Sequence, residues 1–194
     1  MTTFDDNLEQ QFRRIASNLP TTDERIQISI PNAKEILLRA LSHFCEHAQW
    51  LQEYDKISQW LLDNRKRGLL CFGNCGRGKT LITQRIFPTL LSHYHRKYLN
   101  TVTAVELNDI YDDISRCKLI SVDDVGTEPE SVIYGERHWR FSELVDAAER
   151  DQKLLIVSTN LTLDELRQRY GERTFDRLRA ITTTVCFSGP SLRK

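Results

Sequence analysis

The chain has 194 residues, of which 40% are hydrophobic and 28% charged. That length suits one domain with at most a small appendage, and the apolar fraction suffices for an ordinary core. The 27 Lys and Arg balance the 27 Asp and Glu, so the formal net charge is zero. No global basic field then marks a nucleic-acid binder, and any such surface must be a local patch. The acidic start Met1–Asp6 lacks the apolar core of a signal peptide, and no apolar run approaches membrane-spanning length. The five cysteines, at 45, 71, 75, 117 and 186, are odd in number and irregularly spaced, mostly inside apolar segments. They read as reduced packing residues of a cytosolic (cytoplasmic) protein.

In chain order, Phe4, Leu8, Phe12, Ile15 and Leu19 recur at helical spacing and predict an amphipathic helix that Pro20 ends. Ile26, Ile28 and Ile30 alternate, as a short strand or an extended arm closed by Pro31 would. Leu37, Leu41, Phe44, Ala48 and Leu51 form a second helical stripe, and a third helix is expected over about 56–64. Glycine is absent until Gly68. That shift in composition divides the chain into a helical leader, 1–60, with a possible partner-binding role, and a core, 61–194. His43-Phe44-Cys45-Glu46-His47 fits H-x-x-E-H. No third ligand follows it and Phe44 belongs to the packing stripe, so zinc is disfavoured there.

From Gly68 the pattern changes. Strands are expected at 69–72, 101–105, 119–123, 154–158 and 183–187, with helices near 79–98, 107–115, 136–150 and 163–180. Strands alternating with helices define an α/β chain with a parallel sheet flanked by helices. Pro88 should kink or divide the first of these helices, and Thr162-Leu163-Asp164-Glu165 has the form of a capping box.

Gly73-Asn74-Cys75-Gly76-Arg77-Gly78-Lys79-Thr80 matches G-x-x-x-x-G-K-[ST], the P-loop or Walker A motif, between an apolar strand and a helical pattern opening at Leu81. Glycines 73, 76 and 78 let the backbone curl its N–H groups inward, and the following helix N-terminus completes an anion site. Lys79 is placed to reach the β- and γ-phosphates of ATP, and the Thr80 hydroxyl to hold Mg²⁺. The strand 119–122 runs into Asp123 and Asp124. Asp123 is placed to hold Mg²⁺, and Asp124 to act as general base on a water. Asp is one methylene shorter than Glu, so slow hydrolysis is expected. The strand 154–158 ends in Thr159-Asn160, whose amide could orient that water or sense the γ-phosphate. Arg173 and Arg177 share a helix face. They are either an arginine finger for a neighbouring subunit or a solvated basic face paired with Glu172 and Asp176.

These motifs, with Ser121–Gly126, Ser158–Leu161, Tyr170-Gly171-Glu172-Arg173…Asp176-Arg177-Leu178 and Val185–Arg193, resemble the DnaC/IstB group of AAA+ ATPases over about 68–194. The resemblance implies a five-stranded AAA+ core without a large lid domain, and ATP bound between subunits of a self-associating ring or spiral. It makes Arg177 the better match to the finger and Arg173 the second, with Arg193 a weak match to a further nucleotide contact. Members load replicative helicases onto single-stranded DNA or assist transposases, so a helicase loader is the expected function and a transposition helper the alternative. A non-hydrolysing nucleotide switch and a small-molecule kinase are the other readings, the kinase disfavoured because no acceptor-binding lid is evident. Two basic-aromatic stretches are candidates for DNA: His93–Tyr98, for which cations complementing a helix C-terminus is the slightly favoured reading, and Arg137, Trp139 and Arg140, whose alternative is a helix start with an anchoring Trp. Arg65-Lys66-Arg67 reads as flanking the first core strand.

Overall fold

The structure, a computed structural model, describes residues 24–45, 48–133 and 136–192, the side chains of 131–138 excepted. The expected helix over 4–19, His47 and Arg193 lie outside the described residues.

Helices α1 (Ala33–Phe44) and α2 (Gln52–Leu62) precede β1 (Gly68–Gly73). A helical segment then begins as α3 (Lys79–Leu81), passes through a π turn (Ile82–Ile86) and ends as α4 (Phe87–His95). There follow β2 (Asn100–Thr103), α5 (Ala104–Ile114), β3 (Leu119–Val125), the short strands β4 (Ser131–Ile133) and β5 (Glu136–His138), and α6 (Arg140–Arg150). The chain closes through β6 (Leu154–Thr159), α7 (Leu163–Ile181) and β7 (Thr182–Phe187).

Five strands form one sheet in the order β2-β3-β6-β1-β7, every neighbouring pair parallel. The apolar runs of β1, β3 and β6 are buried on both faces, as parallel strands between helices require, while the edge strands β2 and β7 are only partly buried. Alternation along β1 shows how the two faces divide: Leu69 and Cys71 join one core with Ile156 and Val185, and Leu70 joins the other with Val102, Ile120 and Val157. The first core receives α1, α2 and α4, and the second receives α5, α6 and α7. β1 lies between β6 and β7, so the P-loop leaves the sheet one strand in from its β7 edge. β4 and β5 pair antiparallel as a separate hairpin. Among the described residues no helical lid follows β7, since 188–192 turn back onto the P-loop. Also among them, no helix is long and apolar enough to cross a membrane.

Residues 24–30 form an extended arm. The Ile28 N–H donates to Asn64 Oδ1 at 2.8 Å and the Ile30 N–H to Leu61 O at 2.9 Å. Ile28 and Ile30 are thereby buried against the end of α2, outside the sheet. Trp60 anchors α2 by stacking on Phe87, with centroids 5.3 Å apart, while its Nε1–H lies 3.0 Å from both Arg67 O and Gly68 O.

Several sequence expectations shift. Phe44 ends α1 and is 56% exposed, so the stripe stops at Leu41 and does not reach Ala48 or Leu51. The third helix begins earlier than expected, at Gln52. Pro88 does divide its helix: the ring has no N–H and would crowd the carbonyl one turn back, and the π turn directly before α4 opens the ladder there. α5 starts at Ala104 because Thr103 and Glu106 form a reciprocal capping box, unrecognised in Thr-Ala-Val-Glu. Residues 136–138 are strand, not helix. Of the cysteines Cys71 is buried and Cys117 is half-buried against the second core, while 45, 75 and 186 are exposed, so the packing reading holds for Cys71 and Cys117 alone.

Candidate nucleotide site

The P-loop joins β1 to α3. Gly73, Gly76 and Gly78 all have positive φ, at 112°, 73° and 90°. Gly73 is required sterically as well, because a Cβ there would lie 2.4 Å from Phe187 O on β7. The loop is held from outside by the C-terminal segment: the Asn74 N–H donates to Phe187 O at 2.8 Å, Asn74 Nδ2 to Gly189 O at 2.9 Å, and the Leu192 N–H to Gly76 O at 2.9 Å.

Lys79 is buried, and its ammonium donates to Gly73 O at 2.8 Å, Asn74 O at 2.8 Å and Asn160 Oδ1 at 2.9 Å. Burial pulls its pKa down, opposed by the nearby thiols and Asp124 and Asp123. Asn160, just past β6, also donates through Nδ2 to Asp124 Oδ1 at 3.4 Å. Lys79 can only donate and an ionised Asp124 can only accept, so the amide between them has one favourable orientation. Beside this chain runs a second. The Thr80 hydroxyl donates to Asp123 Oδ1 at 3.2 Å, and the Ser158 hydroxyl donates to the same oxygen. Asp123 is buried at the end of β3.

Asp124 is brought to the mouth of the site by a bulge. Between Val122 and Val125 the register with β6 shifts, so three steps on β3 face the two from Val157 to Thr159. Asp124 takes the left-handed conformation, φ 52°. Asp tolerates that better than most residues, and a bulge of this kind re-aims a side chain.

A cavity of about 930 Å³ opens beside these groups. It is lined by Cys75, Gly76, Gly78, Lys79, Thr80 and Leu81 of the loop and the helix after it, by Asp124 and Asn160 at the strand ends, and by Leu41, Cys45, Ala48, Gln49, Tyr54 and Leu192. A lining that combines the loop's polar groups with apolar side chains such as Leu41, Ala48, Leu81 and Leu192 suits a phosphate tail carrying a flat base. The Arg77 side chain turns away from the phosphate side: Nε donates to Glu53 Oε1 at 2.6 Å and Nη1 to Pro190 O at 3.1 Å. Arg77 therefore offers the site its backbone alone. Tyr54 OH donates to Arg77 O at 3.1 Å, and burial, then Glu53, pushes its pKa up to about 12.

The oxygens of Thr80 and Asp123 are the hard donors Mg²⁺ prefers, and Mg²⁺ is characteristically held by one or two carboxylates plus phosphates. Among the described residues no three His, Cys, Asp or Glu side chains gather as an all-protein metal cage.

Arg173 and Arg177 lie on α7 beyond a kink at Gly171 (φ 83°). Arg177 pairs with Asp146, and with Glu149 at 3.0 Å. The Arg173 side chain is 74% exposed and lies 3.6 Å from Asp146. The expected alternative pairing with Glu172 goes elsewhere, since Glu172 pairs with Arg167 at 3.1 Å. Of the nucleic-acid candidates, Tyr98 is 78% exposed and His93 packs edge-on against Tyr94. Trp139 lies under the Arg169 guanidinium at 4.2 Å, and Arg140 stacks on Tyr111 and pairs with Glu143 at 2.7 Å. Arg67 does more than flank β1: it donates to Arg179 O at 2.6 Å and to Thr182 O, at the carboxyl end of α7. Sequence reasoning missed Glu53, Tyr54 and Ser158. Only Ser158 carried a signal, as a small polar residue at a strand tip.

The fold and this site define an α/β core built round a P-loop, with the parallel sheet order β2-β3-β6-β1-β7. No protein-family model matches the sequence, and no curated protein matches it in sequence. Solved structures do share the fold. DnaI is 18% identical over 83% of this chain and 96% of its own, with a TM-score of 0.60. The DnaC helicase loader is 14% identical over 82% and 93%, with a TM-score of 0.52. A candidate primosome component from Streptococcus pyogenes serotype M3 is 15% identical over 86% of both chains, with a TM-score of 0.51.

Proposed function

We propose that this chain is a Mg²⁺-dependent ATPase acting in DNA replication as a DnaC-like loader of the replicative helicase, slow on its own. The observation that carries the ATPase reading is the convergence of Lys79, Asn160 and Asp124 in one hydrogen-bonded chain, with Thr80 and Asp123 beside it. The fold shared with a helicase loader supports the choice of partner.

In this reading Lys79 exchanges its loop carbonyls for the β- and γ-phosphates, and the backbone N–H groups of residues 74–81 cradle the tail. Thr80 and Asp123 hold Mg²⁺, which supplies charge neutralisation on the phosphate oxygens when bound. Asp124 accepts a proton from the attacking water, and Asn160 orients that water through the bond it now makes to Asp124. Lys79→Ala should abolish nucleotide binding. Asp124→Asn should keep binding and lower turnover by about 10²–10⁴-fold, the range of a positioned general base. Absence of wild-type turnover, even with single-stranded DNA and partner present, would leave the nucleotide-switch reading.

Self-association through the ATP site is part of the proposal, with Arg177 or Arg173 as the finger. Arg177 must leave two carboxylates to serve a neighbour, whereas Arg173 is largely free to reach. Mixing Arg177→Ala with Lys79→Ala subunits tests this, because a mixed interface restores one intact site. Recovered turnover supports Arg177; recovery seen only with Arg173→Ala in its place transfers the role. Capture by the full chain of a transposase in place of a helicase would favour the transposition-helper alternative. Single-stranded DNA that changes neither turnover nor oligomer size would count against a loader.

A further inference from the structure

We propose that Glu128 is a positioning residue that holds Asp124 in its working conformation and ties that turn to helix α7. The proposal rests on the ATPase reading for its catalytic consequence.

Glu128 is 1% exposed. A carboxylate is buried at high cost unless its oxygens are matched by donors, and here both are. Oε2 accepts the Gly126 N–H at 2.8 Å, and Oε1 accepts the Tyr170 hydroxyl. The Glu128 carbonyl also accepts Arg169 Nη2 at 2.5 Å. Burial, then the Glu128 charge, pushes the Tyr170 pKa well up, so the phenol stays protonated and donates.

These bonds close a turn that is otherwise costly. Asp124 is non-glycine at positive φ, a conformation that persists only where its surroundings enforce it. Its carbonyl accepts the Thr127 hydroxyl at 2.8 Å and the Thr127 N–H at 3.2 Å. The Val125 carbonyl accepts the Thr159 hydroxyl at 2.5 Å. Gly126 has φ 107°, and a Cβ there would lie 2.5 Å from Leu161 Cδ1. Its N–H is the donor that Glu128 fixes. On the other side Tyr170 packs on Trp139 and Phe141 and directly precedes the Gly171 kink that sets the direction of the Arg173 and Arg177 segment. One buried carboxylate thus joins the general-base turn to the arginine helix.

The test uses the full-length protein and the variants Glu128→Ala, Glu128→Gln and Tyr170→Phe. The readouts are turnover, ATP-analogue Kd, and hydrogen exchange of the 124–127 amides. A displacement of the base by about 1 Å costs on the order of 100-fold. Glu128→Ala should therefore lower kcat by about that factor while Kd stays within about twofold, since Lys79 and Thr80 keep their contacts. Glu128→Gln can accept from Gly126 and donate to the Tyr170 oxygen, so it should recover most of the rate. Exchange protection of Gly126 and Thr127 should be lost in the Ala variant and kept in the Gln variant. Where Glu128→Ala does not fold, Tyr170→Phe carries the test, with an expected drop in kcat of about tenfold and unchanged Kd. Unchanged kcat and protection in these variants overturn the proposal, as does parallel loss of kcat and binding in proportion to unfolded protein. If the wild type shows no turnover, the ATPase reading falls. The exchange pattern then still decides whether Glu128 holds the turn.

Discussion

Breaking the Glu53–Arg77 pair should destabilise the protein and loosen the P-loop together. The pair joins α2 to the loop at 2.6 Å, with side chains only 5% and 8% exposed. Removing one partner of such a buried pair costs about 3–5 kcal/mol, because the other charge is left uncompensated. The low end, about 3 kcal/mol, applies here, since Arg77 keeps a second partner, donating through Nη1 to Pro190 O at 3.1 Å. Total stability of an ordinary domain is about 5–15 kcal/mol, so Glu53→Gln or Arg77→Met should be plainly visible in urea denaturation. At about 2–4 °C per kcal/mol for a chain of this size, Tm should fall by about 6–12 °C. Replacing both partners, Glu53→Leu with Arg77→Met, removes charge from both sides and should recover much of the loss. ATP-analogue affinity should fall in the single variants, by about tenfold for each 1.4 kcal/mol the loop loses in preorganisation. Single-variant costs below about 1 kcal/mol, the range of an exposed pair, would refute the reasoning. So would a double variant as unstable as the sum of the singles, which would assign the role of Arg77 to its contacts with Pro190 and Gly189.

Three further outcomes follow from local geometry. Thr162→Ala removes the hydroxyl that accepts the Glu165 N–H at 3.2 Å and should cost about 1 kcal/mol in chemical denaturation. Gly73→Ala adds a Cβ at φ 112°, 2.4 Å from Phe187 O. It should cost more than about 1 kcal/mol and also weaken nucleotide binding in calorimetry, because β7 is pushed from β1. The third outcome is a pH dependence. Glu106 and Glu165 lie below their ordinary 4.5 because the backbone N–H and then the hydroxyl of Thr103 and of Thr162 donate to them. A folded-state pKa below the unfolded one gives stability that is present in full above pH 4.5 and is lost as pH falls through the lower folded value. A Glu106→Gln/Glu165→Gln variant should therefore show a flatter acid limb of Tm than the wild type, and equal slopes would refute the linkage.

β1, β3 and β6 were legible because each is a short apolar run, while β2 and β7 were read from their β-branched Thr and Val residues. The P-loop was legible for a related reason: its backbone shape demands glycines at 73, 76 and 78, and that demand is written locally. Thr162–Glu165 was readable on the same ground. The strands β4 and β5 were not, since three residues apiece carry no period to detect.

The side-chain partners at the site were the least legible part, and Arg77 and Asp124 show why. Nothing near Arg77 in sequence announces Glu53, which lies on a helix earlier in the chain and meets Arg77 only once α2 has packed on the first core through Ile57, Trp60 and Leu61. A P-loop motif fixes the path of the backbone, while the direction of a variable side chain is decided by whatever the fold brings beside it. Asp124 looked like the last residue of a strand, where alternation would point it opposite to Asp123. The extra residue in β3 cancels that alternation and turns Asp124 toward Asn160. The bulge in turn depends on donors from Thr127 and Thr159 and on the Glu128 carboxylate beneath. The position of Asp124 is therefore set jointly by the turn that follows it and by β6, and of these supports Thr127 and Glu128 lie within a few residues of it while Thr159 does not.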